Sequence, residues 1–282
     1  MSVVWYRMTE GRTCGAILAE EGASVAQITR GGGNGYFTKE TGVPDDITHV
    51  YVMYGYSCEG PERFDAFGAV CELLMVKPGR VESIGFCAED SRIPESLFGL
   101  LETTTTIRKV QCEISWRGIA ESTRRIMECI NRNAGITDLA AMTATVLDLV
   151  MPNITHLMVK GCWDKDDQCA QWLTVCPHLV SFEADEDDYG WRPSAADYRA
   201  IDATPTIETI RGIVLATADQ CVAFCEWAKH TRVSELQILI WYEDDADITA
   251  SVDLCIESVA NNTAVRHLII NRQERISHPL LK

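Results

Sequence analysis

The sequence predicts an α/β solenoid. Parallel strands alternate with helices and stack into a curved horseshoe, strands on the concave face, helices on the convex face, with an irregular N-terminal cap. Three observations lead there. An apolar-x-x-apolar-x-apolar trio recurs nine times between Ile47 and Ile270, at a mean interval near 27 residues. Between successive trios lie segments whose apolar residues keep helical spacing. The composition, 46% hydrophobic, 8% aromatic and 23% charged over 282 residues, is that of a folded chain.

Residues 1–46 do not follow the repeat. They contain a strand-like run, Val3–Met8, a small-residue segment, Thr13–Thr29, and Arg30-G-G-G-N-G, which reads as a turn or flexible link. The glycine run has no following Lys-Ser/Thr, so it is not a phosphate loop. An end unit covering the first apolar layer is what an open stack needs.

The nine trios span residues 47–271. They are Ile47, Val50, Val52; Val81, Ile84, Phe86; Ile107, Val110, Cys112; Ile136, Leu139, Ala141; and Ile154, Leu157, Val159. They continue as Leu179, Phe182, Ala184; Ile207, Ile210, Gly212; Val233, Leu236, Ile238; and Val265, Leu268, Ile270. A three-residue step followed by a two-residue step describes a short strand with a tight entry. Helical stripes fall between them: Phe64, Phe67, Val70, Cys71, Leu74; Ile119, Ile126, Cys129, Ile130; Cys221, Phe224, Cys225, Ala228; and Val252, Cys255, Ile256, Val259. Strand, helix, strand with short links gives parallel pairing. Strands stack about 4.8 Å apart and helices about 8–10 Å, so such a stack bends with its strands inside. The 18-residue unit beginning at Ile136 leaves room for one helical turn or an extended crossing, and a kink is expected there. Residues 272–282 form a tail.

The trio and its period resemble the leucine-rich repeat family, with the ribonuclease-inhibitor-like subclass the nearest in repeat length. The resemblance covers about four fifths of the chain. At the family's asparagine/cysteine position only Cys162 matches; Gly55, Ser115, Leu215 and Trp241 are among the residues found there. The resemblance implies a protein-binding surface on the concave face. It also implies, as alternatives, a substrate-receptor subunit of a ubiquitin ligase or a structural component of a larger, for instance viral, assembly. The first 46 residues show no F-box-like opening.

In each strand the residues between the apolar positions point outward. This puts Tyr51, Met53, Lys109, Gln111, His156, Met158, Lys160, Glu183, Asp185, Arg211, Glu235 and Gln237 in three columns on the concave face, with Met142, Ile213 and Leu239 exposed beside them. Such a mixture of polar and apolar side chains suits protein recognition. Three acidic runs follow strands: Trp163-D-K-D-D, Asp185-E-D-D-Y-G-W and Trp241-Y-E-D-D-A-D. Asp187, Asp188, Asp244 and Asp245 would crowd one rim, with Trp191 and Trp241 as aromatic anchors. The runs lack the D-x-D-x-D-G order of a calcium loop.

A net charge of −16 argues against nucleic acid as the partner and favours a basic protein. No apolar run approaches the roughly 18 residues of a membrane span, and the start has no secretory pattern. An intracellular, reducing, cytoplasmic location is therefore expected. The twelve cysteines read as reduced core residues, with Cys71, Cys129, Cys176, Cys225 and Cys255 on helical stripes. Cys221 and Cys225 share a helix face without a second zinc-binding pair. His49, His156 and His267 are separated by several repeats. Asp138 beside His156 is half a catalytic arrangement, with no nucleophile motif to complete it. A non-catalytic interaction module without cofactor or metal is the expected function.

Overall fold

The computed structural model describes residues 3–7, 26–30, 33–37, 49–53, 62–88, 93–114, 121–142, 149–160, 168–184, 191–240 and 248–272. The chain is α/β and falls into two compact units, Met1–Ile154 and Thr155–Lys282. The first contains β1 (Val3–Arg7), β2 (Ala26–Arg30), β3 (Gly33–Phe37), β4 (His49–Met53), α1 (Glu62–Val76), β5 (Ser83–Ala88), α2 (Glu95–Thr103), β6 (Lys109–Ile114), α3 (Glu121–Arg132) and β7 (Asp138–Met142). The second contains β8 (His156–Lys160), α4 (Gln168–Val175), β9 (Ser181–Ala184), α5 (Ala195–Ala203), β10 (Thr209–Leu215), α6 (Ala218–Ala228), β11 (Glu235–Ile240), α7 (Ile248–Ala260) and β12 (His267–Arg272).

In the first unit β4, β5, β6 and β7 are parallel neighbours in sequence order. β1 extends them by pairing parallel to β4, Trp5 opposite Tyr51. β2 and β3 follow β1 as an antiparallel pair. The strand expected at Val3–Met8 is thus present, and it prolongs the parallel sheet. Arg30 and Gly33–Gly35, expected as turn or link, are instead strand residues of β2 and β3, their backbone groups taken up by antiparallel pairing of Arg30 with Gly33 and Ile28 with Gly35. In the second unit β8 to β12 form a sheet whose neighbours are all parallel and in sequence order.

The trios account for the core. Every described member of the seven trios from Val81 to Ile238 is at most 5% exposed, apart from Gly212, which is buried without a side chain. Each buried Val, Leu, Ile or Phe contributes about 1.5–3 kcal/mol by leaving water. The tight entry is a turn that recurs. The first trio residue donates its N–H to the carbonyl three positions earlier, as in Val81 to Pro78, Ile136 to Asn133, Leu179 to Cys176 and Ile207 to Thr204. One rung is then tied to the next by a shared acceptor. Glu82 O takes the N–H groups of Arg108 and Lys109, and Arg108 O takes those of Thr137 and Asp138. In the second unit the same fork runs from Thr155, Val180, Glu208 and Ser234.

Among the described side chains the helix stripes hold with one correction; Ile119 lies outside the described residues. Cys71, Leu74, Ile126, Cys129, Ile130, Phe224, Cys255 and Val259 are buried, whereas Ile256 is 48% exposed. By helical arithmetic Ile256 points to the side of α7 away from α6, where the described chain supplies no further helix. Between α2 and α3, Arg125 binds Glu95 and lies 4.0 Å over the Phe98 ring, and Arg132 binds Glu102. Between β7 and β8 the expected helical turn or crossing falls largely at 143–148, outside the described residues. Cys71, Cys112, Cys129, Cys169, Cys176, Cys221, Cys225 and Cys255 are buried and in no disulfide. Burial pushes the Cys71 and Cys169 thiols up, and that of Cys176 to about 12.

Candidate interaction surface

The expected columns are rows of register in the sheets. In the second unit His156, Ser181, Thr209, Glu235 and His267 stand opposite one another along one row. Two residues further on, Met158, Glu183 and Arg211 form a second row, and Gln237 stands opposite Ile269. The alternation of these strands, one residue buried and the next open to solvent, places both rows on the face opposite the trios. His156, His267 and Ile269 are exposed, and Met158, Lys160, Glu183, Arg211, Glu235 and Gln237 are half-buried.

Arg211 is held by Glu235, whose Oε1 accepts from Nε at 2.9 Å and from Nη2 at 2.6 Å. Both partners keep solvent, 41% and 24% of their side chains, so this pair orients Arg211 more than it stabilises the fold. Glu183, opposite Arg211 on β9, supplies a second carboxylate. Arg211 is thus bound by Glu235 and stands in register with Glu183 and, beyond it, Met158.

A bulge follows directly. Ile210 pairs with Leu236, but Ile213 pairs with Ile238, so β10 carries one extra residue against β11. Gly212 takes φ of 81°, and a Cβ there would lie 2.0 Å from the Ala184 carbonyl oxygen. Two expectations fail in this region. Ile213, expected outward, takes the inward place beside Ile238 and is fully buried. Leu239, also expected outward, is 5% exposed opposite Val214, whose N–H donates to Trp191 O at 2.7 Å.

Trp191 is the clearest correction. Expected as a rim anchor for a partner, it is 2% exposed. Its backbone bridges to Ile213, its ring meets Phe182 edge-on at 5.1 Å, and its Nε1 donates to Asp197 Oδ2. The same buried carboxylate accepts from Ala170 N at 2.8 Å and Ser194 N at 2.9 Å. Ser194 caps α5 in return, accepting from Ala196 N and Asp197 N. The Ser194-x-x-Asp197 spacing is a capping signal that could have drawn Trp191 inward. Asp185, Asp187, Asp188, Trp241, Asp244 and Asp245 lie outside the described residues.

In the first unit Lys109 stands between Ser83 and Asp138, and Gln111 between Gly85 and Ala140. Tyr51 and Met53 hold the equivalent positions on β4, opposite Gly85 and Cys87. This face is lower in relief, since Ser83, Gly85 and Ala140 are buried. Asp138 lies in this unit and accepts from Thr137 Oγ1, whereas His156 lies in the second and meets Thr155 Oγ1 at 2.9 Å. Among the described residues no group of three His, Cys, Asp or Glu side chains could hold a metal ion. No described helix is long and apolar enough to cross a membrane. Compared with protein-family models and with curated proteins, the chain matches none.

Proposed function

We propose that this chain is a non-catalytic protein-interaction module built as a degenerate leucine-rich-repeat solenoid of the ribonuclease-inhibitor-like kind. It engages its partner through the outward strand face, assisted by the acidic loops. The observation that carries this reading is the open row Met158, Glu183 and Arg211, with Gln237 and Ile269 beside it. A rigid sheet presents them in fixed register, which lowers the entropy lost on binding. The mixture of thioether, aliphatic, amide and charged groups suits a protein surface better than a small substrate. The resemblance to leucine-rich repeats is supported by the trio, the turn into each strand and the forked hydrogen bonds between rungs. A net charge of −16 favours a basic partner in a cytoplasmic, reducing setting.

Pull-down from native cells compares wild type with a Met158→Glu, Glu183→Arg double variant, with circular dichroism as the control for folding. Loss of a specific protein in the folded variant is expected. A partner set unchanged by the double variant would overturn the assignment of this face. Recovery together with a cullin-bound adaptor would identify the module as a ligase receptor, and recovery only in large particles as a structural component.

A further inference from the structure

Cys225 and Cys255 meet across the packed pair α6 and α7, their sulfurs 3.9 Å apart. That is van der Waals contact, roughly 1.9 Å longer than the ~2.05 Å of a disulfide. Both side chains are buried, 3% and 0% exposed. We infer that Cys225 and Cys255 close a reversible disulfide when the protein meets a hydroperoxide, clasping the last described helix to the one before it.

The chemistry balances with that oxidant alone. With hydrogen peroxide, the Cys225 sulfur attacks one oxygen and keeps it as a sulfenic acid, while the O–O bond breaks and the other oxygen leaves as water. The Cys255 sulfur then attacks the Cys225 sulfur, the S–S bond forms as the S–O bond breaks, and the retained oxygen leaves as water. The two thiol hydrogens end in the two waters. When Cys225 ionises, Cys255 donates to it; this bond, with help from the Ser258 hydroxyl and Lys229, holds the Cys225 thiol below its ordinary value against the opposing effects of burial and Cys221. Cys225 is therefore the sulfur that attacks first, and Cys255, whose own thiol is raised by its bonds to Cys221 and Cys225, is the one that resolves.

Access comes from position. α7 and β12 form the last described rung of the second unit, and Val265, Leu268 and Ile270 of that rung stay half-buried where the trios from Val81 to Ile238 are closed. A half-buried rung opens more readily than a closed inner one. Small oxidants then reach the pair without global unfolding. The clasp would close a loop through residues 225–255 and restrain that opening.

The test uses the full chain, reduced and then exposed to hydrogen peroxide, with remaining thiols alkylated before digestion. Mass spectrometry should find one linked peptide pair joining Cys225 to Cys255, short by two hydrogens and restored by dithiothreitol. Hydrogen exchange across α7 should slow by about tenfold in the oxidised protein. Cys221→Ser should leave the link intact. A link between Cys221 and Cys255 instead, or Cys225 carried to sulfinic acid with no link, would overturn the assignment. Because the wild-type map reads the pair directly, the result does not depend on any variant folding.

Discussion

Asp197 concentrates the demands of burial in one side chain. It is 2% exposed, and its two oxygens accept from two backbone N–H groups and an indole. Asp197→Ala would strand the N–H groups of Ala170 and Ser194 and the Nε1 of Trp191 away from water. A loss of about 3 kcal/mol follows, since each abandoned donor costs about 1–3 kcal/mol in part offset by relaxation. Urea unfolding would show it as a lower midpoint; a midpoint within error of wild type would mean that solvent reaches the site. Buried thiols set a second expectation. Cys71, Cys169 and Cys176 have folded pKa values raised by burial above the ordinary 9.0. Stability from such groups is fully present below pH 9 and is lost as pH rises from 9 through their folded values, for Cys176 through about 12. The slope is about 1.4 kcal/mol per pH unit for each group. Denaturation midpoints between pH 8 and 11 should fall, and fall less steeply in Cys176→Ala. Cys225, whose thiol is lowered by its contact with Cys255, has the opposite sign and gains stability as pH rises toward the ordinary thiol range.

At the scale of the element, β10 shows how one residue redirects a strand. Gly212 is the trio's nominal third member, yet the extra residue at the bulge hands that place to Ile213. Gly212→Ala forces a Cβ toward the Ala184 carbonyl at 2.0 Å in a left-handed backbone. Backbone cannot yield as a side-chain tip does, so a loss of several kcal/mol, on the order of 3, is expected, with poor soluble yield as its first sign. Normal yield with an unshifted melting temperature would count against this bulge. The trios were legible because inward positions repeat every second residue, and each rung meets the same layer. The bulge was not, since a glycine in a strand gives no warning that its φ is positive. Trp191 was misread because it follows an acidic run, while the Ser194–Asp197 cap that buries it lies downstream. Asn133 and Asn262 act between rungs. Each sits three residues before a trio and donates from Nδ2 to two carbonyls at the end of the preceding helix: Leu101 and Thr104 for one, Ala228 and Thr231 for the other. Both asparagines thus tie one rung to the rung before it. Asn262→Ala should therefore speed hydrogen exchange through α7 and β12 about tenfold while leaving β9 and β10 unchanged.

Across the whole molecule the governing quantity is charge, and it separates the contributions to binding. Forty-one acidic against twenty-five basic side chains leave the chain at −16. Within the described face of the second unit the charges come near to balance, Glu183 and Glu235 against Lys160 and Arg211. The excess therefore lies elsewhere, and much of it in the acidic runs that the sequence places after strands. A basic partner would feel that field at a distance and the row Met158, Glu183 and Arg211 only in contact. Long-range attraction raises the association rate and is screened beyond about 8 Å at physiological ionic strength, whereas short-range contacts set dissociation. For the partner recovered by pull-down, the association rate should fall on the order of tenfold between 50 and 500 mM salt. Met158→Glu should leave that dependence in place and raise the dissociation rate instead. Surface plasmon resonance separates the two. An association rate indifferent to salt would mean that the acidic runs serve solubility alone, and that the partner is chosen by the strand face.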